Sequence, residues 1–171
     1  MSLARIPCVY MRGGTSKALM FRAADLPTER AEWDAIFLAA MGVPDPGGRN
    51  LDGMGGGLSS LNKVCVIGPP SRADADVDYT FAQCAVKETR VEYGGNCGNM
   101  SAAVGPFAVE EGLVACPPDG EAVVRIHNTN TGKIILARFP VKDGALAADG
   151  DFALDGVAGT AAPIKLEFLE P

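Results

Sequence analysis

Long apolar runs are missing from this 171-residue chain, so nothing in it approaches the length of a membrane-spanning helix. The opening residues Met1-Ser2-Leu3-Ala4-Arg5-Ile6-Pro7 lack the apolar core of a signal peptide. Histidine occurs once, at His127, and the five cysteines (Cys8, Cys65, Cys84, Cys97, Cys116) never fall at C-x-x-C spacing. That scatter argues against a zinc site and, being odd in number, against a disulfide framework; it suits a reducing cytoplasm. Basic stripes are absent as well, and the net charge is −6, which excludes nucleic acid as an expected partner. No metal ligand set, internal repeat or low-complexity tract is visible.

What the chain does have is punctuation. Twenty-one glycines and twelve prolines break it into short apolar runs, which predicts a strand-rich α+β domain with few helices. Strands are expected over residues 5–11 and 17–21 around the turn Arg12-Gly13-Gly14-Thr15-Ser16, then over 63–67, 77–86, 90–93, 122–127, 133–141, 152–154 and 164–168. Thr28 is a candidate cap for a first, peripheral helix with Trp33, Ile36, Phe37 and Ala40 on one face, ended by Gly42 and Pro44. A second helix over residues 99–111 is apolar nearly all round (Ala102, Ala103, Val104, Phe107, Ala108), as a buried helix is. Gly105-Pro106 in its middle predicts a kink or break. The pattern as a whole suggests a mostly antiparallel sheet curled around a central helix, in one domain spanning residues 1–171.

The chemistry concentrates where that second helix begins. Gly94-Gly95-Asn96-Cys97-Gly98-Asn99-Met100-Ser101 sets a cysteine at a helix N-terminus. Free N–H groups and the positive end of the dipole there suit a carboxylate and favour a thiolate. A lone cysteine is often a buried core residue, but the flanking Gly and Asn residues supply open backbone and polar groups that a core would not want. Lys63 is the second candidate, because Val64, Val66 and Ile67 follow it at once. A lysine at the mouth of a buried strand can lose solvation and serve as a base, or simply snorkel. Arg12-Gly13-Gly14-Thr15-Ser16-Lys17 is either a donor-rich anion turn or a plain hairpin. The glycine loop Asp52-Gly53-Met54-Gly55-Gly56-Gly57 leads through Ser60 and Asn62 to Lys63 without completing a dinucleotide fingerprint. A Cys97–His127 dyad would imply nucleophilic catalysis, but no third-residue signal accompanies it, and His127 is expected as a strand-end residue near a site wall. Asp74, Asp76 and Asp78 are expected to form a solvated turn.

Taken in order, Met11-Arg12-Gly13-Gly14-Thr15-Ser16-Lys17, Asp52-Gly53-Met54-Gly55-Gly56, Asn62-Lys63, Asp76-Val77-Asp78-Tyr79, Gly95-Asn96-Cys97-Gly98-Asn99, His127-Asn128-Thr129-Asn130-Thr131-Gly132-Lys133 and Asp155-Gly156-Val157 resemble the methylaconitate isomerase family. That family also holds methylitaconate Δ-isomerases and oxalomesaconate isomerases or tautomerases. The resemblance implies a diaminopimelate epimerase-like fold, two similar halves with a cleft between them, and a chain that stops at Leu169-Glu170-Pro171, near the end of the first half.

It further implies proton shuttling, without cofactor or metal, on a small unsaturated di- or tricarboxylate. Lys63 matches the family's catalytic lysine and Cys97 its active-site cysteine. Arg12, Thr15, Ser16, Lys17, Ser60, Asn62, Asn96, Gly98 and Asn99 are expected to hold the substrate's carboxylates. A missing C-terminal half, or pairing of two copies, would complete the cleft. A carboxylate-binding half-domain without catalysis of its own is the alternative from a different class. An amino-acid epimerase or racemase is a further one.

Overall fold

The computed structural model describes residues 4–169; Met1-Ser2-Leu3 and Glu170-Pro171 lie outside them. The chain runs β1 (Val9–Gly13), β2 (Ser16–Arg22), α1 (Trp33–Met41), β3 (Lys63–Gly68), β4 (Val77–Cys84), β5 (Val91–Glu92), α2 (Gly98–Glu110), β6 (Gly120–Asn128), β7 (Lys133–Lys142), β8 (Ala145–Leu146), β9 (Phe152–Ala153), β10 (Thr160–Ala161) and β11 (Lys165–Phe168). One sheet has the order β1-β2-β3-β4-β6-β7-β11, with β5 added to β4 and β8 to β7, and β9–β10 forms a separate ribbon. The pairs β2–β3 and β4–β6 are parallel and the others antiparallel. α2 touches β1 and β2 at one end of the sheet and β7 and β11 at the other. Seven strands laid flat would span about 29 Å, whereas a helix is only about 10–12 Å across. The sheet therefore has to curl around α2, as the sequence predicts.

Two clusters explain the two kinds of strand. Toward α2, Ala18, Met20, Cys65, Ile67, Tyr79 and Phe81 meet Met100, Val104, Phe107 and Ala108. Toward α1, the alternate residues Leu19, Phe21, Val64, Val66, Ala82 and Cys84 meet Phe37, Leu38 and Met41. β2, β3 and β4 are covered on both faces, hence their unbroken apolar runs. In β6 only one face is covered, so Val124 and Ile126 are buried while Val123 and Arg125 are exposed.

Three local expectations need correction. Thr28 does not cap α1: a 3₁₀ turn, Arg30–Glu32, precedes the helix, and Glu32 at the cap position makes no side-chain capping bond. The lead-in is fastened by Trp33 Nε1, which donates to Pro27 O at 2.8 Å. The far end behaves as expected, with Gly42 left-handed at φ +68° and Val43 N donating to Leu38 O. α2 does not break at Gly105-Pro106 but continues through Pro106 to Glu110. A Cβ at Gly105 would lie 2.7 Å from the Phe139 ring. The glycine thus lets the helix seat closely on β7, and the buried contacts of Val104, Phe107 and Ala108 offset the one hydrogen bond that Pro106 cannot make. Finally, Asp76 and Asp78 are not merely solvated: each grips a residue of β6.

Candidate active site

Lys63 opens β3 on the α2 side of the sheet, in phase with Cys65 and Ile67, and is only 8% exposed. Its Nζ donates to Gln83 Oε1 at 2.7 Å and stands 4.9 Å from the centre of the Phe81 ring. Lys63 and Gln83 face each other in the β3–β4 register. Cys97 is the residue before α2, with extended backbone, and its carbonyl accepts from Ser101 N and Ser101 Oγ at 2.9 and 3.0 Å. Lys63 and Cys97 line one pocket of about 490 Å³, together with Phe81, Gln83, Glu92, Gly94, Gly95 and Asn96. A Cβ on Gly94 or Gly95 would meet nothing within 4 Å, so these glycines keep the wall low rather than serving packing.

The loop before α2 is held from below. Asn96 Oδ1 accepts from Ser101 Oγ at 3.1 Å and from Asn128 Nδ2 at 3.4 Å. Asn130 imitates a strand: its Oδ1 accepts from Phe81 N, and its Nδ2 donates to Phe81 O and Tyr93 O. Beneath the pocket Cys65 Sγ lies 3.8 Å from Tyr79 Oη, both fully buried. Burial pushes the Cys65 thiol and the Tyr79 hydroxyl well up, so this floor carries no charge near neutrality.

The donor-rich turn docks on the same helix start. Asn99 Nδ2 donates to Thr15 Oγ1 at 3.1 Å and to Ser16 Oγ at 3.4 Å. A Cβ on Gly13 would stand 2.5 Å from the Asn99 carbonyl oxygen, which is why glycine is needed there. Ser101 N is taken by Cys97 O, while Gly98, Asn99 and Met100 supply the first-turn N–H groups.

The remaining expected residues are placed differently. Arg12 and Lys17 pair across the hairpin, out of phase with Ser16 and Gly13, and so point to the other face. Arg12 Nη1 returns to Gly14 O at 2.8 Å, and Lys17 Nζ lies 5.5 Å over the Tyr10 ring. Asn62 is fully buried, with Oδ1 accepting from Gly56 N, so its amide pins the glycine loop. Its Nδ2 has no partner among the described residues. Ser60 is half-buried on the 3₁₀ turn Ser59–Leu61.

His127 forms no dyad with Cys97. It alternates with Ile126 and Asn128 and so leaves the α2 face. Its Nδ1 is 2.8 Å from Asp78 Oδ1 and 3.3 Å from Ser71 Oγ. Burial alone would raise the Asp78 carboxyl; the Ser71 N–H and His127 outweigh it and hold it below its usual range. The neighbour Asn128, not His127, reaches the site loop. Sequence reasoning missed Gln83, Ser101, Asn128 and Asn130. Gln83 had a signal, as the one polar residue that continues the inward series Val77, Tyr79, Phe81.

A sheet curled around a central helix is a fold that this chain shares with solved racemase and epimerase structures. A hydroxyproline epimerase from Agrobacterium vitis superposes with a TM-score of 0.51 over 82% of this chain and 39% of that one, at 14% identity, which bears on the fold alone. More specifically, the chain belongs to the PrpF protein family, whose sequence model matches residues 3–171. A 2-methyl-aconitate isomerase from Cupriavidus necator is 47% identical over 98% of this chain and 44% of its own length. The crystal structure of a methylitaconate-delta-isomerase superposes with a TM-score of 0.88 at 47% identity, covering 94% of this chain and 41% of that one. The chain thus spans less than half the length of these relatives. Among the described residues no helix is long and apolar enough to cross a membrane, and no group of three or more His, Cys, Asp or Glu could hold a metal.

Proposed function

We propose that this chain is one lobe of an isomerase that moves or resets a C=C bond in a small unsaturated di- or tricarboxylate of the methylaconitate, methylitaconate or oxalomesaconate type. The observation that carries the reading is the meeting of Lys63 and Cys97 in one pocket at the start of α2. The chemistry asks for a base to remove an allylic proton beside a carboxylate or carbonyl, fixed donors facing the delocalised anion, and an acid to return a proton elsewhere. Lys63 is the base. Cys97 stands across the pocket as the second acid–base or orienting group. The N–H groups of Gly98 and Asn99, with the Thr15 and Ser16 hydroxyls beside them, hold a carboxylate at the helix N-terminus. Arg12 and Lys17 lie on the far face of the hairpin and take no part in this step. No cofactor is required by this sequence of proton transfers.

A second reading has its own support in the length of the relatives: the chain binds a carboxylate, and turnover waits for a second lobe, supplied by a C-terminal half or by another copy. In either case the site lies in the cytoplasm, consistent with five free cysteines among the described residues. Incubating the purified chain in deuterium oxide with each of the three acids, and following vinyl and methylene protons by NMR, decides between them. Exchange or migration of the double bond is the expected result for a self-sufficient lobe. A folded chain that binds the acid without exchange supports the binding lobe, and a chain that neither binds nor exchanges rejects both readings.

A further inference from the structure

We propose that Gln83 is the positioning residue for Lys63: it holds the lysine nitrogen by one N–H and turns its remaining valences toward Cys97 and the pocket. The inference rests on the reading of Lys63 as the base and adds how that base is aimed. Gln83 Nε2 donates to three carbonyl oxygens, Ser59 O at 3.0 Å, Asn62 O at 2.9 Å and Cys84 O at 3.2 Å. A flipped amide would set Oε1 against those three oxygens, so only one orientation is tolerable. Oε1 must then face Lys63 Nζ, and it does so at 2.7 Å. Asn62 O also accepts from Cys84 N, so the same few bonds fix the backbone on which Lys63 is mounted. Side chain and backbone of the base are thereby tied to one amide, a coupling that an ordinary surface glutamine does not make.

The surroundings of Lys63 determine what the acceptor does. From β3 it is faced by Cys65, from β4 by Phe81 and Gln83, from β5 by Glu92, and from the loop before α2 by Cys97. Glu92 is half-exposed and already engaged by Arg90. Cys65 is buried and its thiol pushed up, hence neutral. Gln83 Oε1 is therefore the polar atom at hydrogen-bond distance from Nζ among the described residues. An acceptor there holds one N–H of the lysine nitrogen and leaves its remaining positions for the pocket.

The test uses the whole chain with ¹³C/¹⁵N-labelled lysine and glutamine. The expected result in wild type is an NMR coupling across the hydrogen bond between Lys63 Nζ and Gln83 Cδ, with an ordered Lys63 Nζ signal that broadens or moves in Gln83→Met. No coupling in wild type, or a Lys63 signal left unchanged in folded Gln83→Met, overturns the proposal.

Where turnover is measurable, Gln83→Met is expected to lower kcat by about 10²-fold at nearly constant KM, as misaimed catalytic groups do. A wild-type coupling and a changed Lys63 signal in Gln83→Met, with kcat unchanged, leave Gln83 as the group that holds Lys63 and remove Lys63 as the base, so the two readings fail separately.

Discussion

The two faces of β3 are made of neighbouring residues and do opposite work. Val64 and Val66 face α1, where Phe21 stacks on Phe37 with ring centres 5.8 Å apart and the helix end is closed by Gly42. Lys63, on the other face, begins a row that is apolar from Cys65 onward, and it stands where the helix opposite also begins. On the α1 face, side chains fill the space and the helix end is satisfied locally. On the α2 face, Gly94 and Gly95 leave the space open, and the pocket ends at Cys97, the residue from which the helix starts. The candidate site is where the closing devices of an ordinary core are withheld at one end of one face.

Substitution of adjacent residues should separate the two faces cleanly. Lys63→Met is expected to lower turnover by about 10³-fold or more. It should change unfolding free energy by no more than about 1 kcal/mol, because the pocket lets water reach the Gln83 oxygen left behind; near-normal turnover would break the comparison. One position further on, Val64→Ala is expected to cost about 2 kcal/mol in denaturant unfolding through the cavity it leaves. Lys63 kinetics should stay within a few-fold, and a large loss of rate at unchanged stability would show that the faces are not independent.

Asn130→Ala removes the amide that bridges Phe81 and Tyr93 under the site loop. It is expected to cost about 1–2 kcal/mol, since a buried N–H of Phe81 loses its acceptor. Amide exchange should quicken at β5 and in residues 94–97 before anywhere in α1.

The last effect, absent at neutral pH, is one the faces share. Cys65 on the α2 side and Cys84 on the α1 side both have thiols raised by burial, Cys84 to about 12. The unfolded chain releases these protons first, near the ordinary thiol value of 9.0. Their contribution to stability is thus complete below pH 9 and declines as pH rises toward the folded-state values. Unfolding followed from pH 7 to 10.5 should show this decline, and Cys65→Ala with Cys84→Ala should flatten it.

How much of this could be read beforehand depended on range. α2, its small-residue faces and the Cys97 turn are local patterns, and the sequence located them within a residue. Lys63 stood out because the valines and isoleucine after it have only one sensible environment. What escaped depended on register. Gln83 matters because it lies opposite Lys63, and that pairing is a property of two strands. His127 and Asn128 are adjacent in sequence yet face opposite sides of β6, so the eye-catching histidine misses the site and the asparagine reaches it. Arg12 and Lys17 belong to the right hairpin but alternate away from Ser16. The helix through Pro106 was misjudged for a similar reason: the cost of the lost hydrogen bond is local, whereas the contacts that offset it come from β7.

The central claim is that a substrate carboxylate sits on the first-turn N–H groups of α2, next to the pocket that Lys63 and Cys97 line. A ¹H–¹⁵N NMR titration of the chain with methylaconitate tests it most directly, since binding is read without turnover. The account predicts saturable shifts at Gly98, Asn99 and Met100 and in residues 94–97, weakened at least several-fold in Lys63→Met. Shifts confined to the separate pocket between Arg12, Ala102 and Phe152, or no shifts in a folded chain, would contradict it.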